Sequence, residues 1–151
     1  MNQEIKPECV LCQPSPNEQV VYQHEKWRVV LVDDDLYPGF CRVIWEGHAA
    51  EMTDLSLTDR KKLMAVVLSV EAAVRDVMVP DKVNLASLGN MVPHLHWHVI
   101  PRFVDDAHFP ESVWGTRQRE PDVATLEKRR IRLPELKTVI KRVLDGQLKA
   151  L

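Results

Sequence analysis

The chain is short of several things, and each shortage removes a class of protein. Three cysteines in 151 residues, Cys9, Cys12 and Cys41, are too few and too unevenly placed for a disulfide scaffold. The five glycines form no Walker-type loop that could cradle phosphates with backbone N–H groups. No apolar run approaches the roughly 18 residues of a membrane span, and the opening MNQEIKPE has no apolar core of a signal peptide. Repeats and low-complexity tracts are also missing. What is present, 45% hydrophobic and 28% charged residues, suits one ordinary domain with a real core. The expectation is a soluble, cytoplasmic, single-domain protein spanning 1–151, with no membrane partner.

The net charge of −2 hides an asymmetry. Residues 1–115 carry 10 basic against 17 acidic side chains, whereas residues 116–151 carry 10 against 5. A basic tail is one signature of nucleic-acid binding. Here Leu136, Val139, Ile140, Val143 and Leu144 fall at i, i+3, i+4, i+7 and i+8. That spacing describes an amphipathic helix with a basic solvent face, packed on its own core or on another subunit. No nucleic-acid partner is expected.

The pattern along the chain reads as α+β. Two prolines follow Cys9-Val-Leu-Cys12, so the first 18 residues form a knuckle-like loop. Val20–Gln23 and Trp27–Val32 read as a hairpin, and Cys41–Glu46 as a third strand after the turn Tyr37-Pro38-Gly39. A helix follows, with Thr58 as the expected N-cap and Pro80 as its stop. Val83–Leu88 and Leu95–Phe103 are the remaining strands, and helices near 122–130 and 135–146 make a C-terminal extension over about 116–151. Short connections make the first strands antiparallel.

The informative run is Pro93-His94-Leu95-His96-Trp97-His98-Val99-Ile100. Alternate residues of a strand share a face, so the three histidines line one side while Leu95, Trp97 and Val99 enter the core. One ion shared by all three is disfavoured, because the first and third lie about 13 Å apart along a strand. Another reading of such a row is nucleophilic catalysis by a neutral imidazole, set against three packed or exposed histidines with no chemical role. The central ring would attack, its other nitrogen donating to a backbone carbonyl. A neighbouring ring, with an ordinary pKa near 6.5, would protonate the leaving group. Cys9-x-x-Cys12 alone is ambiguous: a zinc half-site, a redox pair or two thiols. His24 and His108 read as surface residues.

The run resembles the signature of the histidine triad (HIT) family, His-φ-His-φ-His-φ-φ. Upstream, Cys9-x-x-Cys12, Tyr37-Pro38-Gly39, the strand ending at His48, and Asp54-Leu55 fall in the family's order. The resemblance implies an antiparallel sheet of about five strands with helices, paired into a homodimer. It implies a nucleotide hydrolase or transferase acting at an α-phosphorus through a nucleotidyl-histidine, with no catalytic metal. By the same resemblance His96 is the nucleophile and His98 attends the leaving group. Asn90, Asn84 and Asp33 are the implied substrate contacts, Asp34 competing for the ribose role. Some relatives hold structural zinc on positions matching Cys9, Cys12, His48 and His94, a Cys₂His₂ set that suits tetrahedral zinc. Two departures bear on the substrate: Phe40 stands where relatives often have histidine, and Trp45-Glu46-Gly47-His48 lacks their lysine. A binding or adaptor protein of the same fold with little turnover is the competing reading.

Overall fold

In the computed structural model, which describes residues 4–150, five short strands form one antiparallel sheet. They are β1 (Gln19–Gln23), β2 (Trp27–Leu31), β3 (Cys41–Trp45), β4 (Lys82–Ala86) and β5 (His96–Arg102). Their spatial order is β1-β2-β3-β5-β4. The helices are α1 (Leu57–Met78), α2 (Val123–Arg130) and α3 (Leu133–Ala150), with a 3-10 turn at Met52–Asp54. The α+β expectation is met, with strand ends displaced by one or two residues. Residues 1–3 of the expected N-terminal segment, and residue 151 of the C-terminal extension, lie outside the described residues.

The two faces of the sheet follow from strand alternation. Val29 sits opposite Val43, Val43 opposite Trp97, and Cys41 opposite Val99. These side chains form the main core with Leu63, Val66, Val67, Val70, Val74 and Val77 of α1. The amphipathic C-terminal stretch packs here too. Leu136, Ile140 and Leu144 of α3 are buried in the same core, and Tyr22 of β1 donates to Asp145 at 2.7 Å. The surface that α3 covers is therefore its own core.

Helix α1 begins two residues earlier than Thr58 suggested. Ser56 is extended and its Oγ accepts from Asp59 N at 3.1 Å, which satisfies one of the free N–H groups of the first turn. Ser and Thr two residues apart offer the same hydroxyl, and the backbone chose the first. At the other end Val79 takes a left-handed conformation (φ 49) before Pro80, closing the helix. Gly39 (φ 93) makes the bend that returns the chain from β2 to β3, and an added Cβ would meet the Met78 side chain at 3.0–3.2 Å.

The opposite face of the sheet is partly covered by the long connection after β5, and one carboxylate anchors that connection. Asp106, 1% exposed, accepts from Arg102 Nε at 2.8 Å and Nη2 at 3.1 Å. It also accepts from the backbone N–H groups of Phe103, His108 and Phe109 and from the Tyr37 hydroxyl. Burial alone would raise its pKa, but these donors hold it at about 2. Arg102 continues the network to Asn84 Oδ1 (2.7 Å) and the Glu111 carbonyl (2.7 Å). His108, taken from sequence as a surface residue, is half-buried, with its Nδ1 2.6 Å from the Tyr37 hydroxyl. A carboxylate whose folded pKa lies below its unfolded value near 3.8 stabilises the fold fully above that value and loses the contribution as pH falls towards 2. We expect Asp106→Asn to cost about 3 kcal/mol, because it strands a buried guanidinium. Urea denaturation of the variant should also lose the steep fall in stability that the wild type has between about pH 4 and pH 2.

Candidate functional site

Strand β5 divides the histidine row from the core. Trp97 and Val99 point to α1, while His96, His98, Ile100 and Arg102 occupy the other face. Ile44 lies opposite His96 and Arg42 opposite His98 on β3, and Asn84 lies opposite Ile100 on β4. Parity therefore places Arg42, Ile44 and Asn84 on the histidine face.

His96 is 9% exposed. Its Nδ1 lies 2.5 Å from the His94 carbonyl, and since a carbonyl only accepts, Nδ1 carries the proton. The lone pair is left on Nε2, the arrangement a nucleophilic imidazole needs. Burial, only partly offset by the His94 carbonyl, and the Arg42 charge keep the ring's pKa below its ordinary value. His98 packs against His96 with ring centroids 4.9 Å apart. Phe40 (5.6 Å) and Trp114 (4.9 Å) present their rings to it edge to face. Burial, with His96 and Arg42 nearby, pushes His98 down to about 4. His98 is therefore neutral at pH 7, which departs from the near-neutral acid expected from its ordinary pKa.

The first histidine of the row belongs to a different cluster. His94 is fully buried, and its Nε2 donates to the Trp45 carbonyl at 2.5 Å, which turns Nδ1 towards the N-terminal knuckle. Cys9 Sγ and Cys12 Sγ lie 3.5 and 3.4 Å from that Nδ1, and Cys12 Sγ lies 3.3 Å from His48 Nδ1. All four donor atoms fall within 4.8 Å of one another. Zn–S bonds of about 2.3 Å and Zn–N bonds of about 2.0–2.1 Å give tetrahedron edges of about 3.5 Å. The donor set can thus hold a metal ion, and the carbonyl behind His94 is the outer contact that fixes such a ligand. Burial raises the Cys12 thiol and lowers the His94 imidazole from their ordinary values; a bound cation favours thiolate and neutral imidazole.

The expected substrate contacts lie on three different segments of the chain. Asn84 is half-buried on the histidine face, its Oδ1 held by Arg102. Asn90 and Asp33 are exposed, on the loop before the histidine row and on the loop after β2. Asp34 is spent on a turn, accepting from Leu36 N and Tyr37 N.

The model of the HIT domain matches residues 13–105, more than half of the chain. The chain belongs to the HIT domain family. It is 28% identical over 86 residues to an AP-4-A phosphorylase of Mycobacterium tuberculosis, an alignment covering 53% of this chain and 44% of that protein. The chain therefore spans less than half the length of the curated relatives it matches. Among solved structures, a histidine triad protein from Bradyrhizobium japonicum superposes with a TM-score of 0.66 at 28% identity, covering 83% of this chain and 90% of that one. A zinc-bound histidine triad family protein from Mycobacterium smegmatis shares the fold, with a TM-score of 0.55 at 24% identity over 87% of this chain and 96% of that one.

Two side chains of this HIT site were missed from sequence. Arg42 interrupts an apolar strand at a position whose parity matches His98, a signal that strand pairing alone would have exposed. Trp114 arrives from outside the matched region, and no local pattern announces it. A test of the electrostatics is the His98 ring itself. In ligand-free protein we expect its NMR titration midpoint near 4, with an upward move when a phosphate anion binds, since opposite charge favours imidazolium. A midpoint at the ordinary value would contradict the desolvated site.

Proposed function

We propose that this HIT protein is a nucleotidyl hydrolase or transferase. In this reading His96 Nε2 attacks the α-phosphorus of a nucleoside phosphate derivative, the bond from phosphorus to the leaving group breaks, and a nucleotidyl-histidine forms. Water or another acceptor then attacks the same phosphorus and frees the ring. The observation that carries the reading is the 2.5 Å contact of His96 Nδ1 with the His94 carbonyl. It fixes the tautomer and hands the lone pair to the atom facing away from the backbone. His98 adjoins the departing group and offers a hydrogen bond from its neutral ring. A phosphate's negative charge favours its protonation. Asn84, Asn90 and Asp33 are proposed to meet the phosphate and ribose.

The substrate is proposed to be a dinucleoside polyphosphate or a nucleoside phosphoramidate. The likeness to an AP-4-A phosphorylase favours the first. A binding protein with little turnover is the second reading, and the neutral His98 favours it, because a poor leaving group would wait for a proton. Mass spectrometry after mixing with a dinucleoside polyphosphate or a nucleoside phosphoramidate separates the two. We expect one added nucleotidyl group on the wild type, none on His96→Ala, and a loss of turnover of about 10³-fold or more in that variant. A His96→Ala protein that turns over within a few-fold of wild type would sink the assignment.

Cys9, Cys12, His48 and His94 are proposed to bind a structural zinc that ties the N-terminal knuckle to β3 and β5. Two sulfur and two imidazole donors at these separations suit zinc among the biological divalent ions. The domain is proposed to run the whole length as one unit and to pair with a second copy, covering an exposed sheet edge. Native mass spectrometry reads both claims together. We expect twice the chain mass of 17.4 kDa with one zinc per chain, and a Cys9→Ser protein without the metal and with a lower Tm. A metal-free monomer with titratable thiols would refute both.

A further inference from the structure

Three arginines stand on the histidine face of the sheet, and two of them are fully matched. Arg28 is completely buried and meets Glu18 through Nε (2.9 Å) and Nη2 (3.2 Å), Glu46 through Nη1 (2.9 Å), and the Leu11 carbonyl. Arg102 is matched by Asp106, Asn84 and the Glu111 carbonyl. Arg42 is the exception. Its Nε is buried with no hydrogen-bond partner among the described residues, and no carboxylate there forms an ion pair with it. The acids near enough to act on it are Glu18 and Asp34. Glu18 is committed to Arg28, and Asp34 to the turn at Tyr37. The guanidinium carbon lies over the Phe40 ring, 5.9 Å from its centroid.

The residue opposite Arg42 in the sheet is His98, and its Nδ1 is likewise buried without a partner among the described residues. Two orphaned polar groups side by side are costly in a folded protein, and an arginine can only donate. Burial lowers the guanidinium's pKa, yet it stays charged at any physiological pH. A partner that would satisfy a partly desolvated guanidinium beside an imidazole is an anion with several acceptor oxygens.

We propose that Arg42 is a phosphate-binding residue of this site, donating to a non-bridging oxygen of the phosphate that His98 faces. The inference rests on the nucleotide reading above and adds a residue to it. It also answers the missing lysine after β3: the positive charge comes from within the strand, while Glu46 at that bend is neutralised by Arg28. An unpaired guanidinium weakens the ligand-free fold and strengthens the bound state, a trade typical of functional residues.

The test is calorimetric titration with AMP and adenosine, with GMP and guanosine in parallel, on wild type, Arg42→Met and Arg42→Lys. The wild type should bind the nucleotide more tightly than its nucleoside. Arg42→Met should lose about 10- to 100-fold in nucleotide affinity, the worth of charge-assisted hydrogen bonds, with nucleoside affinity unchanged. Arg42→Lys should fall between, because it keeps the charge and loses the planar fork. Ligand-free Arg42→Met should melt no lower than wild type. Nucleotide affinity of Arg42→Met within twofold of wild type would overturn the proposal, and so would a Tm well below wild type, which would make Arg42 a structural residue. A wild type that binds neither nucleotides nor nucleosides would overturn the nucleotide reading itself, a failure distinct from that of Arg42.

Discussion

His94 is the joint on which the site hangs. Its ring is fully buried, with Nε2 bonded to the Trp45 carbonyl and Nδ1 turned to the two cysteines of the knuckle. Its own carbonyl holds Nδ1 of His96. One residue therefore fixes the N-terminal segment with its side chain and orients the central imidazole with its backbone. The backbone there is pinned on both sides, since Leu95 N donates to Ala49 O at 2.6 Å and Trp45 N to Leu95 O at 3.1 Å. A loose peptide at this point would let the His96 ring rotate about two bonds, and the lone pair would no longer have a set direction.

Around this joint the sheet keeps two different interiors. The helix side is close-packed and apolar, while the other side carries charges, and Arg28 and Arg102 there are matched by acids. Arg28, Glu18 and Glu46 brace the knuckle end, and Arg102, Asp106 and Asn84 brace the start of the long connection after β5. The long connection after β5 brings Trp114 to the edge of His98, so the Asp106 network that anchors this connection bears on how dry the histidines are. That dryness is the leading cause of the lowered pKa of both His96 and His98.

The fold was legible because its signals are local. The apolar, β-branched run Trp27–Val32, the alternation of Leu95, Trp97 and Val99 with the histidines, the helical spacing from Leu63 to Val77, and a proline after the helix each rest on a few neighbouring residues. The histidine row and the Cys9–Cys12 pair were legible for the same reason, and the structure brings Cys9, Cys12, His48 and His94 together as the resemblance implied. Thr58 failed as a cap because two hydroxyl residues competed for one position. Arg42, Trp114 and the Asp106 network were not legible, because their meaning lies in which residue sits opposite across the sheet or arrives from a later loop. His108 failed likewise: its partner is Tyr37, 71 positions away.

The environment of the two central histidines does not by itself assign them different roles. Sites that use one group as a base and a neighbour as an acid commonly push their pKa values apart. Here burial moves His96 and His98 in the same direction, towards the neutral ring. The asymmetry between them is one of hydrogen bonding. His96 has its tautomer settled by a carbonyl, whereas Nδ1 of His98 has no partner among the described residues. A neutral ring with a settled tautomer is a ready nucleophile; a neutral ring with an unsettled one is free to take up a proton when an anion arrives. Under the proposed reaction the substrate's own charge completes the division of labour, raising the pKa of the ring it faces while the bonded ring spends its lone pair on phosphorus.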